Sequence, residues 1–200
     1  MGENILVVRT AELREHFDFQ GFLQLSEQRV QEFYDSVDVQ GMDRDLAETD
    51  PTFKQLVAYS VVREGDQFLT YLRGKDLGEA RLHGNRSIGI GGHIERKDHQ
   101  FNLFLDDHLK AAAIREIDEE IIISDEYDLE LTGLLNDDSN DVGSVHLGLV
   151  YLVSLDGQEV NKRERGIAQM KFDSIEELKS RKEQFETWSQ ILIDNIEAFL

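Results

Sequence analysis

Arg115-Glu116-Ile117-Asp118-Glu119-Glu120 is the stretch on which the reading of this chain turns. On a helix, Glu116, Glu119 and Glu120 fall at i, i+3 and i+4 and share one face. Glu116 and Glu120 are like charges one turn apart, which costs an isolated helix about 0.2–0.5 kcal/mol. A divalent cation reverses that cost, because hard ions such as Mg²⁺ are held by carboxylate and carbonyl oxygens. A glycine turn, Gly91-Gly92-His93-Ile94-Glu95, lies upstream. The pattern leads us to expect a bound metal acting on a phosphate compound.

Around this stretch the pattern predicts a helix over 107–122, with Asp106 or Asp107 as cap and Ala111, Ala112 and Ala113 favouring it. Ile114, Ile117 and Ile121 give it an apolar face for a sheet, with its acids outward. Residues 55–63 and 67–73 are β-prone runs joined by Glu64-Gly65-Asp66, a hairpin signal. Tyr59 and Tyr71 within them are expected in the sheet core. Residues 86–92 read as a strand entering a tight turn, and 129–135, 145–155 and 166–172 as further strands. The polar stretch 137–143 reads as a loop. Ser174-Ile175-Glu176-Glu177 resembles a capping box and opens a helical tail. Phe185, Trp188, Leu192, Ile196 and Phe199 form an apolar stripe there, either core or a dimer surface.

Before Pro51, residues 4–8 read as a strand, 10–17 as a helical turn and 26–37 as a helix with Val30, Phe33 and Tyr34 on its apolar side. Residues 41–50 read as an acidic loop, so Pro51 is expected to separate an N-terminal extension, 1–50, from a main domain, 51–200. Interleaved strands and helices point to an α/β sandwich around a mixed β-sheet, with an N-terminal α/β extension and a C-terminal helix.

The 200 residues carry a net charge of −20 and no cysteine. That field repels nucleic acid and anionic membranes, so neither is expected as a partner. Without cysteine there is no disulfide framework and no thiolate zinc site. No apolar run approaches the roughly 20 residues that span a bilayer. The first residues lack the basic and apolar segments of a signal peptide. A cytoplasmic protein is the expectation. Between Arg115 and Lys162 there is no Lys or Arg, a field that attracts cations. Asp125, Glu126, Asp128 and Glu130 read as solvated charge.

Gly92-His93-Ile94-Glu95, Asp107 and Arg115-Glu116-Ile117-Asp118-Glu119-Glu120 together resemble the Nudix box of the Nudix hydrolases. That pattern is Gly, five residues, Glu, seven residues, then Arg-Glu-apolar-x-Glu-Glu-x-Gly-apolar. The seven-residue gap from Asp107 to Arg115 is kept, and Ile123 fills the last apolar place. Gly92 and Asp107 are 14 residues apart rather than five, an insertion at about 96–105. Asp107 replaces Glu, and Ile122 stands where the family has Gly. The likeness is expected to cover 55–172.

The resemblance implies a role for each residue. Glu119 and Glu120 would ligate Mg²⁺ or Mn²⁺, with the Gly91 carbonyl as a further oxygen. Glu116 would bind metal or act as base through a water. Arg115 would pair with Glu119 and fix it. A loop acid would complete the set, Glu164 first and Glu159 second. Arg73, Arg81 and Arg86 are candidate phosphate clamps. His93, and after it His146, are candidates to touch substrate. The implied reaction is hydrolysis of a phosphoanhydride in a nucleoside diphosphate linked to another group, by an enzyme expected to form a homodimer. The alternative is a catalytically inactive Nudix-like domain that binds a nucleotide or metabolite and regulates a partner. A diphosphate isomerase ranks lower, since such enzymes usually use a cysteine.

Overall fold

The computed structural model describes residues 2–74, 84–96, 105–164 and 166–200. Along the chain come β1 (Asn4–Arg9), α1 (Thr10–His16), β2 (Gly21–Gln24), α2 (Glu27–Ser36), β3 (Gln40–Asp43) and α3 (Arg44–Ala47). After Pro51 follow β4 (Phe53–Glu64), β5 (Gln67–Arg73), β6 (Arg86–Ser87), β7 (Gly89–Ile90) and α4 (Leu105–Glu120). The remainder is β8 (Ile121–Ile123), β9 (Asp128–Asn136), β10 (His146–Leu155), β11 (Val160–Lys162), β12 (Ile167–Ser174), α5 (Ile175–Ser180) and α6 (Thr187–Asp194). This is the expected α/β class. None of the described helices is long and apolar enough to cross a membrane.

The chain divides into two compact units. One comprises Met1–Tyr59, Gly92–Ile114 and Leu131–Val150; the other comprises Ser60–Gly91, Arg115–Glu130 and Tyr151–Leu200.

In the first unit, β1 is buried over its four central residues and hydrogen-bonds on both edges. Ile5 and Met42 face each other on β3, and Val7 faces Gln55 on β4. Ile5, Val7 and Ala47 form a core cluster against Met42 and Phe53. The stretch 41–50, read above as a loop, therefore folds as the end of β3 and as α3. The open edge of β1 recruits β3, and the Asp43 carboxylate caps α3 by accepting from the Asp45 amide at 3.1 Å. Strands follow in the order β4, β10, β9, β2, with Gly21 opposite Asn136 at the β2 end. Ser26 caps α2, whose Phe33 is buried and meets Phe17 edge to face at 5.8 Å.

The second unit is built on the β4–β5 hairpin. Its turn is Gly65-Asp66, with Gly65 at φ 60° and Glu64 opposite Gln67. β12 lies along the other edge of β5, from Ile167 opposite Arg73 to Ser174 opposite Gln67, with a bulge between Ala168 and Lys171. The capping box at Ser174 and Glu177 is formed, and it starts α5. Phe185, Leu192, Ile196 and Phe199 of the C-terminal stripe are buried and belong to the core, and Trp188 is half-buried.

The expected helix over 107–122 runs instead from Leu105 to Glu120. Asp106 and Asp107 lie in its first turn, and Asp106 accepts from the Tyr34 hydroxyl at 2.7 Å. Ile121–Ile123 leave the helix as β8 and pair with β11, Ile122 opposite Asn161. Three consecutive β-branched residues with a strand within reach favour the extended form. Ile114 is 37% exposed, and the buried face is carried by Leu109, Ala112, Ala113 and Ile117.

Candidate functional site

The last turn of α4, Arg115 to Glu120, lies wholly in the second unit. It holds three glutamates and no basic residue beyond Arg115, at the helix end where the backbone dipole is negative. Acids there cost about 0.3–1 kcal/mol each at exposed positions. Stability alone therefore gives no reason for this arrangement.

The three acids are not equivalent. Glu119 is exposed, with 59% of its side chain accessible, while 12% of Glu116 is accessible. Glu120 lies on the buried stripe, three residues after Ile117, and is 7% exposed. The acids were expected to face outward together, but helical spacing carries Glu120 inward. Its Oε2 has no hydrogen-bond partner among the described residues. Burial pushes its carboxyl up to about 8; Arg73 opposes this, Glu164 and Glu116 add to it, and a hydrogen bond from the Gly91 amide opposes it. Arg115 Nη1 contacts Glu116 Oε1 at 2.7 Å and Glu119 Oε1 at 3.3 Å. It therefore braces two carboxylates, and the nearer is Glu116.

The backbone closes around Glu120. Gly91 has φ 156°, a conformation that side-chain-bearing residues rarely adopt, and its N–H reaches the Glu120 carboxylate. The Glu120 carbonyl, orphaned at the helix end, accepts from the Arg163 amide at 2.9 Å and the Glu164 amide at 3.0 Å. Glu164, the first choice for the loop acid, is thereby brought to the helix end, and its charge is felt by Glu120. Glu159 instead donates its amide to Ser124 Oγ at 3.0 Å.

Of the candidate clamps, Arg73 lies within electrostatic reach of Glu120 and donates from Nη1 to the Tyr71 hydroxyl at 3.3 Å. Arg86 is 6% exposed; its guanidinium donates to Thr70 Oγ1 at 2.8 Å and sits over the Phe185 ring. That is the environment of a residue holding β5, β12 and the C-terminal segment together. Arg81 and most of the insertion lie outside the described residues. His93 belongs to the first unit, where it meets His146, Nε2 to Nε2, at 3.1 Å. Glu48 joins these two histidines. No sequence motif linked it to them, because the three positions are far apart along the chain.

No protein-family model matches the chain. The structure of Tm1382, assigned to the Nudix hydrolases, is 30% identical, covers 97% of this chain and 98% of its own, and superposes with a TM-score of 0.80. The chain belongs to the Nudix hydrolase family. Protein YmaB of Bacillus subtilis is 34% identical over 206 residues, 98% of each chain. The Nudix domain of Shewanella oneidensis NrtR, solved with ADP ribose, is 16% identical and covers 78% of this chain and 97% of its own, with a TM-score of 0.56; that likeness shows the fold alone. The match to Tm1382 extends past residues 55–172, so both terminal segments belong to the shared architecture. As a Nudix hydrolase, this protein is an enzyme that breaks bonds with water.

Proposed function

We propose that this Nudix hydrolase is Mg²⁺- or Mn²⁺-dependent and cleaves a phosphoanhydride in a nucleoside diphosphate linked to another group. The observation that carries the reading is the buried Glu120 carboxyl with an unpartnered Oε2, one turn after Glu116. A buried carboxyl raised to about 8 is poorly suited to its surroundings alone and well suited to a cation that would hold it ionised.

The donor types suit a hard ion, with three carboxylates on one helical stretch and no cysteine in the chain, and among the described residues an ion would have to draw these oxygens together, since they do not all lie within 4.8 Å of one another. Glu116, Glu119 and Glu120 would hold it, with the Gly91 carbonyl as a further oxygen. When bound, such an ion neutralises phosphate charge and lowers the pKa of water at the site. Arg115 keeps Glu116 and Glu119 in fixed rotamers, which spares their ordering during the reaction. The Gly91 amide and the Arg163 and Glu164 amides fix the position of Glu120 at both its carboxylate and its carbonyl. Glu164 is the carboxylate we assign to accept the proton of the attacking water. Arg73 supplies positive charge for a phosphate oxygen. The substrate is a small nucleotide derivative, in keeping with the ADP ribose bound by the NrtR domain.

The test is product analysis on a panel of nucleoside diphosphate derivatives, ADP ribose included, with Mg²⁺ or Mn²⁺. Release of a nucleoside monophosphate is expected. Saturable binding of a panel member with no turnover under any metal would favour a regulatory binding domain instead.

A further inference from the structure

Glu48, His93 and His146 come from distant parts of the chain, yet each offers a ligating atom and all three atoms lie within 4.8 Å of one another. All belong to the first unit. Glu48 follows α3 as its C-terminal cap, His93 makes a β-bridge to Val57, and His146 opens β10.

The chemistry of His146 narrows what this cluster does. Its Nδ1 lies 2.6 Å from the Val142 carbonyl oxygen, which can only accept, so Nδ1 carries the proton. The neutral ring then presents a lone pair at Nε2, and that atom faces His93 Nε2 at 3.1 Å. Two imidazole nitrogens on a tetrahedral Zn²⁺, each at about 2.0–2.1 Å, stand about 3.3 Å apart. The pair is therefore already near ligand spacing.

The supports are those of an oriented ligand set. The Val142 carbonyl fixes the His146 tautomer, and Arg44 Nε lies 3.5 Å from Glu48 Oε1. The turn before His146 is held in place: Lys54, 1% exposed, donates to the Gly143 carbonyl at 3.0 Å and pairs with Asp138. A Cβ at Gly143 would stand 1.9 Å from the Asp137 carbonyl oxygen, so only glycine fits that turn.

We propose that Glu48, His93 and His146 bind a transition-metal ion, Zn²⁺ in particular, through two imidazole nitrogens and one carboxylate. The donor set differs in kind from the all-oxygen cluster on α4. Imidazole favours Zn²⁺ and its neighbours in the first transition row, whereas Mg²⁺ seeks oxygen. Three protein ligands leave a fourth position for water. The ion would cross-link the end of α3, the turn after Gly92 and the start of β10, and so stabilise the folded chain by mass action.

The experiment uses the full chain, stripped with a chelator and titrated with Zn²⁺ while the histidine C2–H resonances are followed by NMR. Uptake that shifts two histidine signals, resists excess Mg²⁺ and persists in Glu120→Gln is expected. Glu48→Gln and His146→Gln should each weaken Zn²⁺ by at least about 10–100-fold, the range that loss of even an outer partner costs. Glu48 is partly exposed, so its variant reports on the site even where the buried His146 variant folds poorly. Absence of Zn²⁺ uptake would leave a plain histidine–histidine hydrogen bond and overturn the proposal. Wild-type Zn²⁺ affinity in Glu48→Gln and His93→Gln would overturn it as well, and so would uptake abolished by Glu120→Gln.

Discussion

The Glu164 amide donates to the Glu120 carbonyl at 3.0 Å, joining the loop after β11 to the last residue of α4. The main chain thereby brings a second acid to the helix end without any side-chain contact being required. Glu164→Gln is expected to slow turnover by about 100-fold, the low end of what a positioned acid–base group contributes. Glu159→Gln should stay within about twofold of wild type, since the main chain of that residue pairs with Ser124, and Glu164 is the loop acid whose charge acts on Glu120. Initial rates on one cleaved substrate settle it; a larger loss in the Glu159 variant would reverse the assignment.

Glu120→Gln is expected to separate activity from stability. Its burial raises the carboxyl to about 8, so the folded metal-free protein is penalised as pH rises from the unfolded value near 4.5 through that range. The amide carries no charge to bury. The metal-free variant should therefore melt at or above the wild-type temperature at pH 8, while turnover falls by at least about 100-fold, or ~2.7 kcal/mol. Thermal melts in chelator with parallel rate assays check both. A variant that melts well below wild type would assign Glu120 a structural role.

Arg115 braces Glu116 at 2.7 Å and Glu119 at 3.3 Å. Arg115→Ala should weaken metal dependence by about 10–100-fold, as loss of an orienting partner does. Arg115→Lys should recover only part of it, because a lysine lacks the fork that spans two carboxylates. Activity against Mg²⁺ concentration gives the comparison. Equivalent curves for the Lys variant and wild type would show that charge alone suffices.

Asp173 is fully buried between Lys171 at 2.7 Å and Arg181 at 2.8 Å, and accepts from Thr70 at 2.6 Å. Burial pushes its carboxyl up, but the bonds from Lys171, Thr70 and Arg181 outweigh that and hold it below the ordinary value. The folded pKa is thus depressed, so this group stabilises the fold above the unfolded pKa of about 3.9, and the contribution is lost as pH falls through the folded value. Asp173→Asn should cost about 1–3 kcal/mol near neutral pH, with a smaller difference from wild type below pH 4. Denaturant unfolding across pH tests this; a difference that grows on acidification would contradict it.

The chain shows why some features were legible and others were not. The hairpin at Gly65-Asp66, the capping box at Ser174 and the buried C-terminal stripe are local, and each was readable from a few adjacent residues. The box glutamates were readable for the same reason. The switch from α4 to β8 was not, because Ile121–Ile123 become a strand only where β11 supplies a partner some forty residues later. That pairing makes Ile122 a strand residue, a conformation that suits a β-branched side chain. Segments β3 and α3 were hidden because their apolar content is low and the edge of β1 organises them. The inward turn of Glu120 follows from helical spacing, yet a buried carboxyl is what a reading by polarity discards.

Whether the α4 glutamates hold a divalent ion is decided by Mn²⁺ binding followed by electron paramagnetic resonance, comparing wild type with Glu116→Gln and Glu120→Gln in the presence of saturating Zn²⁺. Wild type is expected to remove Mn²⁺ from solution, with Mg²⁺ competing for the same place, and each variant to lose at least about tenfold in affinity. Equal Mn²⁺ uptake by all three proteins would contradict it.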